Sequence, residues 1–175
     1  AGAASAEGRL VLDAVQAAGA EAARIAFAGS GEDLTRAAAA RGRLTVNALA
    51  YPDADATVER VALDFEGTEL NGAANASGIL TASAISAAGA TASALEATFS
   101  GEGLTTETPV ATLDARLSDV GAPGAASGAA TLSATLTEAD GGRLVASLST
   151  DPIRLDAGRV GSAALDAIAT GVHSR

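Results

Sequence analysis

The stretch RVALDFEGTEL (residues 60–70) decides how this chain is read. Val61, Leu63 and Phe65 alternate with Arg60, Ala62, Asp64 and Glu66, and the run closes on Gly67 and, three residues on, Leu70. A period of two puts the large apolar side chains on one face of a strand and the charged ones on the other. The phrase recurs as RIAFAGSGEDL (residues 24–34) and ALEATFSGEGL (residues 94–104). Aligning the three superposes Gly31, Gly67 and Gly101, at spacings of 36 and 34, and with them Leu34, Leu70 and Leu104. A second set lies upstream: GRLVL from Gly8, GRLTV from Gly42 and GILTA from Gly78, at spacings of 34 and 36. Two landmarks sharing a period of about 35 residues indicate a stacked repeat.

Between the two landmarks of each unit lie AAGAE, YPDAD and AAGAT, which carry turn residues. Each unit therefore reads as a β-hairpin, its strands about 8–10 residues long. The glycine ends a strand, where positive φ or close backbone approach is wanted, and the leucine tucks back towards the sheet. The upstream runs Leu10–Val15, Leu44–Ala50 and Ile79–Ile85 are less cleanly sided. After residue 104 the chain continues in kind without the period: PVATLDARLSD and AATLSATLT alternate, EADGG from Glu138 marks a turn into RLVASLST, and PIRLDA and AALDAIA add short strands. The organisation expected is a three-hairpin sheet over residues 1–120, a loop at GAPGAASG (residues 121–128), and further hairpins over 129–175, some ten strands in all. The fold class is all-β, an antiparallel hairpin array forming a long curved sheet or groove. The alanine-rich residues 35–41 allow at most one short helix.

The composition fits an extended structure. Aromatics make up 2% of the 175 residues, and Trp, Met and Cys are absent. Such a chain buries many small side chains over a wide area rather than a few large ones. The net charge is −10, and every basic residue is arginine. An acidic balance without a basic stripe argues against nucleic acid and against docking on anionic headgroups. Without cysteine there are no disulfides, iron–sulfur clusters or thiolate zinc sites. No run approaches the roughly 20 apolar residues of a membrane-spanning helix. The chain begins at Ala1 without Met and reads as a piece of something longer, which would carry any targeting signal.

Nothing in the sequence points to catalysis. His173, the one histidine, lies near the end, and no lysine is present to replace it as a base. Asp64, Glu66, Glu96 and Asp114 are scattered over polar strand faces, with only Tyr51 to serve as a sugar platform. DADAT at Asp53 and EADGG at Glu138 are turn chemistry and lack the ligand spacing of a calcium loop. GSGED at Gly29 and SGEG at Ser100 lack the GK[ST] of a phosphate loop, and NAS at Asn75 is a sequon of a kind common by chance. The expectation is a protein that is not an enzyme and needs no cofactor or metal.

What recurs is an asymmetry of faces. One face carries Ile25, Phe27, Val61, Leu63, Phe65, Leu95, Phe99, Leu113, Leu117, Leu132 and Leu136 among alanines, and the other carries charge and hydroxyls. These eleven residues are the candidate lining of a binding groove. Something must cover so large an apolar face: a second sheet, the same sheet curling on itself, or an apolar ligand. A structural or adhesive β-solenoid or β-sandwich with a self-packed core stays open beside the ligand-binding reading.

The runs SGILTASAISAAGATASALEATFSGEGL (residues 77–104) and RGRLTVNALAYPDADATVERVALDFEGTEL (residues 41–70) resemble the β-rich periplasmic regions of AsmA-like proteins, including the TamB and YdbH types. There a G-x-L strand, a turn and an alternating return strand ending in glycine repeat along a long chain. The resemblance covers residues 8–104 well and the rest loosely. It implies a repeating β-groove with an apolar interior that carries phospholipid acyl chains between the inner and outer membranes. It further implies a periplasmic location, an inner-membrane anchor outside this segment, and membrane partners met through other regions. This sequence departs from the pattern in the scarcity of large aliphatics in its upstream strands.

Overall fold

The fold was analysed in a computed structural model, which describes residues 4–33, 35, 38–137 and 142–171. The chain forms one antiparallel sheet. Its strands are β1 (Ala6–Ala17), β2 (Ala20–Glu32), β3 (Ala39–Tyr51), β4 (Ala56–Thr68), β5 (Asn75–Ala87), β6 (Ala90–Glu102), β7 (Val110–Ala122), β8 (Ala125–Thr137), β9 (Arg143–Thr150), β10 (Ile153–Leu155), β11 (Gly158–Val160) and β12 (Ala164–Thr170). From β1 to β8 every strand pairs with its sequence neighbours. The β8 edge is then shared: its second half pairs with β9 and its first two residues with β10. β12 pairs with β9, and β11 with β10.

That branching hides a fifth copy of the hairpin. Arg143–Leu155 and Gly158–Thr170 each span 13 residues, the length of β3 and β4. Leu10, Leu44, Leu80, Ala115 and Leu148 hold one register position in the five outgoing strands. The repeat therefore continues past residue 104, against the expectation that it lapses there. Side chains drift in the later units while the backbone register does not. GAPGAASG is likewise not a loop: only Pro123 and Gly124 lie between β7 and β8. The strands are also longer than expected.

Turn chemistry closes the hairpins. Ala18-Gly19 (φ 50° and 79°) and Ala88-Gly89 (φ 48° and 82°) turn with both central residues left-handed, the geometry whose twist matches paired strands. A 3-10 turn at Pro52–Ala54 joins β3 to β4 and ends on Asp55, with φ 47°. The helix allowed over residues 35–41 does not form where the structure describes it, since Ala39–Arg41 belong to β3. Leu34, Arg36 and Ala37 lie outside the described residues, as do His173 and the turn residues Glu138–Gly141.

Within the outgoing strands one residue breaks the extended backbone. Ala14, Ala48, Ala84 and Asp119 have φ of 53°, 51°, 49° and 48°, spaced by 34, 36 and 35 residues. None has a registered partner across the ladder; Ala48 and the facing Glu59, for instance, both lack one. A left-handed residue cannot continue the pleat and costs an L-amino acid about 1–2 kcal/mol. Four in line across the sheet form a crease. The apolar alternation slips by one residue there: Leu12 to Val15, Val46 to Leu49, and Val58 to Val61 are three apart. This slip is why the upstream strands read as poorly sided.

The sheet is a single layer. Its accessible surface is 10919 Å², against about 7,700 Å² for a compact protein of 16.8 kDa. Among the described residues the buried hydrophobic ones are all alanines, namely Ala22, Ala38, Ala62, Ala92, Ala97 and Ala129. Among the described residues no large side chain is fully buried and no second layer covers either face. No helix among them is long and apolar enough to cross a membrane.

Candidate apolar binding face

Directly paired residues in an antiparallel sheet point to the same side, so register assigns the faces. One ladder runs Leu10, Phe27, Leu44, Leu63, Leu80, Ala97, Ala115, Leu132, Leu148, Leu165 across the whole sheet. The adjacent ladder on the same face holds Leu12, Ile25, Val46, Val61, Ala82, Leu95 and Leu117. On the other flank Phe65, Gly78, Phe99 and Leu113 follow one another, and Leu136 pairs with Ala111 beyond them. All eleven residues singled out in the sequence lie on this one face.

The reading missed half of the surface. Leu10, Leu12, Leu44, Val46, Leu80 and Leu148 belong to the same ladders, and the interval from the upstream glycine would have found the first five: Leu10, Leu44 and Leu80 each sit two residues after it. Beyond the crease a further apolar ladder links Val15, Ala22, Leu49, Val58, Ile85 and Ala92.

The glycines of the repeat are explained by what covers them. A Cβ on Gly42 would lie 2.8 Å from Cζ of Phe65, and one on Gly78 2.5 Å from Cζ of Phe99. Phe65 and Phe99 thus each lie over a glycine of the neighbouring outgoing strand, a packing that fixes register and shields bare backbone. Phe27 covers Gly29 of its own strand and stacks with Phe65, their ring centres 6.2 Å apart at 19°. The closing phrase works the same way. Leu70 and Leu104 reach to 3.0 and 2.6 Å from where a Cβ would stand on Gly67 and Gly101, and neither glycine is left-handed. Their N–H groups donate to the carbonyls of Ala38 and Ala74, tying each return loop to the loop before it.

The opposite face is polar. The ladder Arg9, Ala28, Arg43, Asp64, Ile79, Thr98, Asp114, Ser133, Ser147, Asp166 runs beside the apolar one. Arg43 and Asp64 pair at 3.5 Å, and Ser133 donates to Asp114 at 2.6 Å. Arg24 Nε donates to Asp13 Oδ1 at 2.7 Å, which lowers the carboxyl pKa and raises that of the guanidinium. A broad open concavity of about 1150 Å³ is lined by Arg9, Arg41, Arg43, Asp64 and Glu66 together with Phe27, Phe65 and Phe99, and by none of the ladder leucines. The ladder leucines lie outside that concavity, on a sheet face that no second layer of the described residues covers.

Among the described residues no group of three or more His, Cys, Asp or Glu side chains is placed to bind an ion. Asn75, the sequon residue, accepts a hydrogen bond from the Gly103 N–H at 2.9 Å and so ties two return loops. Comparison with protein-family models, with curated proteins and with solved structures finds no match to this chain.

Proposed function

We propose that this chain is a segment of a periplasmic β-groove protein whose apolar face shields phospholipid acyl chains in transit between the inner and outer membranes. One observation carries the reading: an unbroken apolar ladder from Leu10 to Leu165, with no layer of the described chain over it. Ten positions at about 4.8 Å apiece make a rail of roughly 45 Å. That is about three times the length of an acyl chain, taken as half of a bilayer core of about 30 Å. The rail runs across the strands, so it lengthens with every added hairpin. Its side chains give acyl chains hydrophobic cover without selecting a headgroup, and exposed apolar surface of this extent marks binding. The resemblance to AsmA-like proteins points the same way, and with it come the inner-membrane anchor and the membrane partners.

The test is native mass spectrometry of the protein purified gently from a bacterial host, followed by lipid extraction. Co-purifying phospholipid, lost in Leu63→Asp and Phe99→Asp proteins that keep their circular dichroism, is the expected result. A lipid-free mass from a folded protein overturns the proposal.

A further inference from the structure

Asn71-Gly72 stands in the loop from β4 to β5, and we propose that it is a site of spontaneous backbone rearrangement whose rate is set by the neighbouring loop. The chain holds three asparagines, and Asn71 alone precedes a glycine. Asn47 and Asn75 precede alanines and lie in β3 and β5. An asparagine side chain can close on the amide nitrogen of the next residue, and a Cβ on that residue obstructs the approach. Glycine has none. Both Asn71 and Gly72 are exposed. The Gly72 N–H donates to the Glu69 carbonyl at 2.8 Å and closes a tight turn.

The chemistry balances with solvent alone. The Gly72 nitrogen gives up its proton to a solvent base and attacks Cγ of Asn71. The N–Cγ bond forms, the Cγ–Nδ2 bond breaks, and the leaving nitrogen takes a proton from solvent to depart as ammonia. Water then opens the succinimide ring. Cleavage of the new N–Cγ bond leaves aspartate, and cleavage of the former peptide bond leaves isoaspartate, whose backbone is longer by a methylene. The nitrogen cannot attack while Glu69 holds its N–H, so the turn has to open first. The loop from β6 to β7 resists that opening. Thr105 Oγ1 donates to the Gly72 carbonyl, and the Leu104 N–H donates to the Ala74 carbonyl at 2.8 Å. On the other side the Leu70 N–H donates to the Ala38 carbonyl at 2.9 Å. The later loop repeats the turn, with the Thr106 N–H on the Gly103 carbonyl at 2.8 Å, but sets Thr105 and Thr106 where Asn71 and Gly72 stand. One loop thus carries the reactive pair and the next one restrains it.

Lipid binding plays no part in the test, which holds the whole chain in mildly alkaline buffer and follows it by peptide mass mapping. The expected result is conversion of amide to acid at residue 71, with isoaspartate among the products, while Asn47 and Asn75 persist. Thr105→Val removes the donor to the Gly72 carbonyl and should speed conversion roughly fivefold, the worth of one hydrogen bond. Gly72→Ala should suppress it in a protein that still folds, because a Cβ there meets only the Glu69 carbonyl oxygen, at 3.8 Å, and φ is not left-handed. An Asn71 that persists as long as Asn47 overturns the inference. So does a Thr105→Val protein that converts at the wild-type rate, for then the neighbouring loop does not control the site.

Discussion

The hairpin of β3 and β4 and the last hairpin, β9 to β12, share a length and a register but cross the crease differently. In the first, Asn47-Ala48-Leu49 passes through a left-handed alanine and the strand runs on for 13 residues. In the last, Asp151-Pro152-Ile153 occupies the same positions and the strand stops, to resume as β10. Proline's ring locks φ near −65°, so it cannot take the turn that Ala48 takes. The crease thus belongs to the backbone plan of the repeat, and the side chain at one position decides whether the ladder survives it.

The strongest way to break the comparison is to import the proline. Ala48→Pro should divide β3 as β9 and β10 are divided, at a cost of about 3 kcal/mol, because proline cannot take the left-handed φ that lets β3 keep its ladders to β2 and β4. Urea unfolding measures the loss, and hydrogen exchange should show protection failing around Asn47–Leu49. An unchanged midpoint would mean that the crease tolerates any φ and that Pro152 does not cause the break.

Next in size is a contrast within one row of glycines. A Cβ on Gly78 meets the Asp64 carbonyl oxygen at 2.5 Å as well as the Phe99 ring, and backbone cannot give way as a side chain can. Gly78→Ala should cost about 2 kcal/mol. Gly8 holds the same register position on the edge strand with nothing within 4 Å of a Cβ, so Gly8→Ala should be neutral or slightly stabilising. Equal effects at the two sites would remove phenyl-over-glycine packing as the reason for the repeat's first landmark.

These two contrasts separate what the sequence discloses from what it conceals. Period-two alternation in Val61, Leu63 and Phe65 is visible because each large side chain has a charged or small neighbour, and it assigns all eleven candidate residues to one face. The crease is concealed because alanine is the commonest residue here and nothing in its side chain announces φ near +50°. Its trace is the phase slip from Val46 to Leu49, which reads as weak sidedness until the register is known. The fifth hairpin is concealed for the reason just given: Pro152 breaks its outgoing strand and makes one unit look like two fragments. The absence of a second layer leaves no local mark at all, since a strand facing a partner sheet and one facing open space alternate alike.

A smaller, opposite effect should follow at the crease itself. Glycine is ordinarily unfavourable within a strand, but Ala84 carries φ of 49°, where glycine has no Cβ penalty. Relief of about 1–2 kcal/mol of strain against the added chain entropy leaves Ala84→Gly more stable by roughly 0.5–1 kcal/mol. Thermal unfolding reads the shift. A fall in the midpoint would show that the left-handed alanine is unstrained.

The smallest effect concerns the ion pair beside the crease in the first hairpin, which the last lacks. Arg24 donates to Asp13 at 2.7 Å, and this hydrogen bond, with the attraction of the guanidinium, holds the Asp13 carboxyl below the ordinary carboxylate range. A carboxyl whose pKa is lowered by folding adds stability above its unfolded pKa, and that contribution disappears as pH falls through the folded value. Both side chains are more than half exposed, so the contribution is small and sensitive to salt. In an NMR titration Asp13 should therefore protonate below the ordinary carboxylate range, and Arg24→Ala should bring it back to that range. Were Asp13 unmoved by that substitution, its position beside the crease rather than its partner would set its acidity, and the first hairpin would differ from the last in backbone alone.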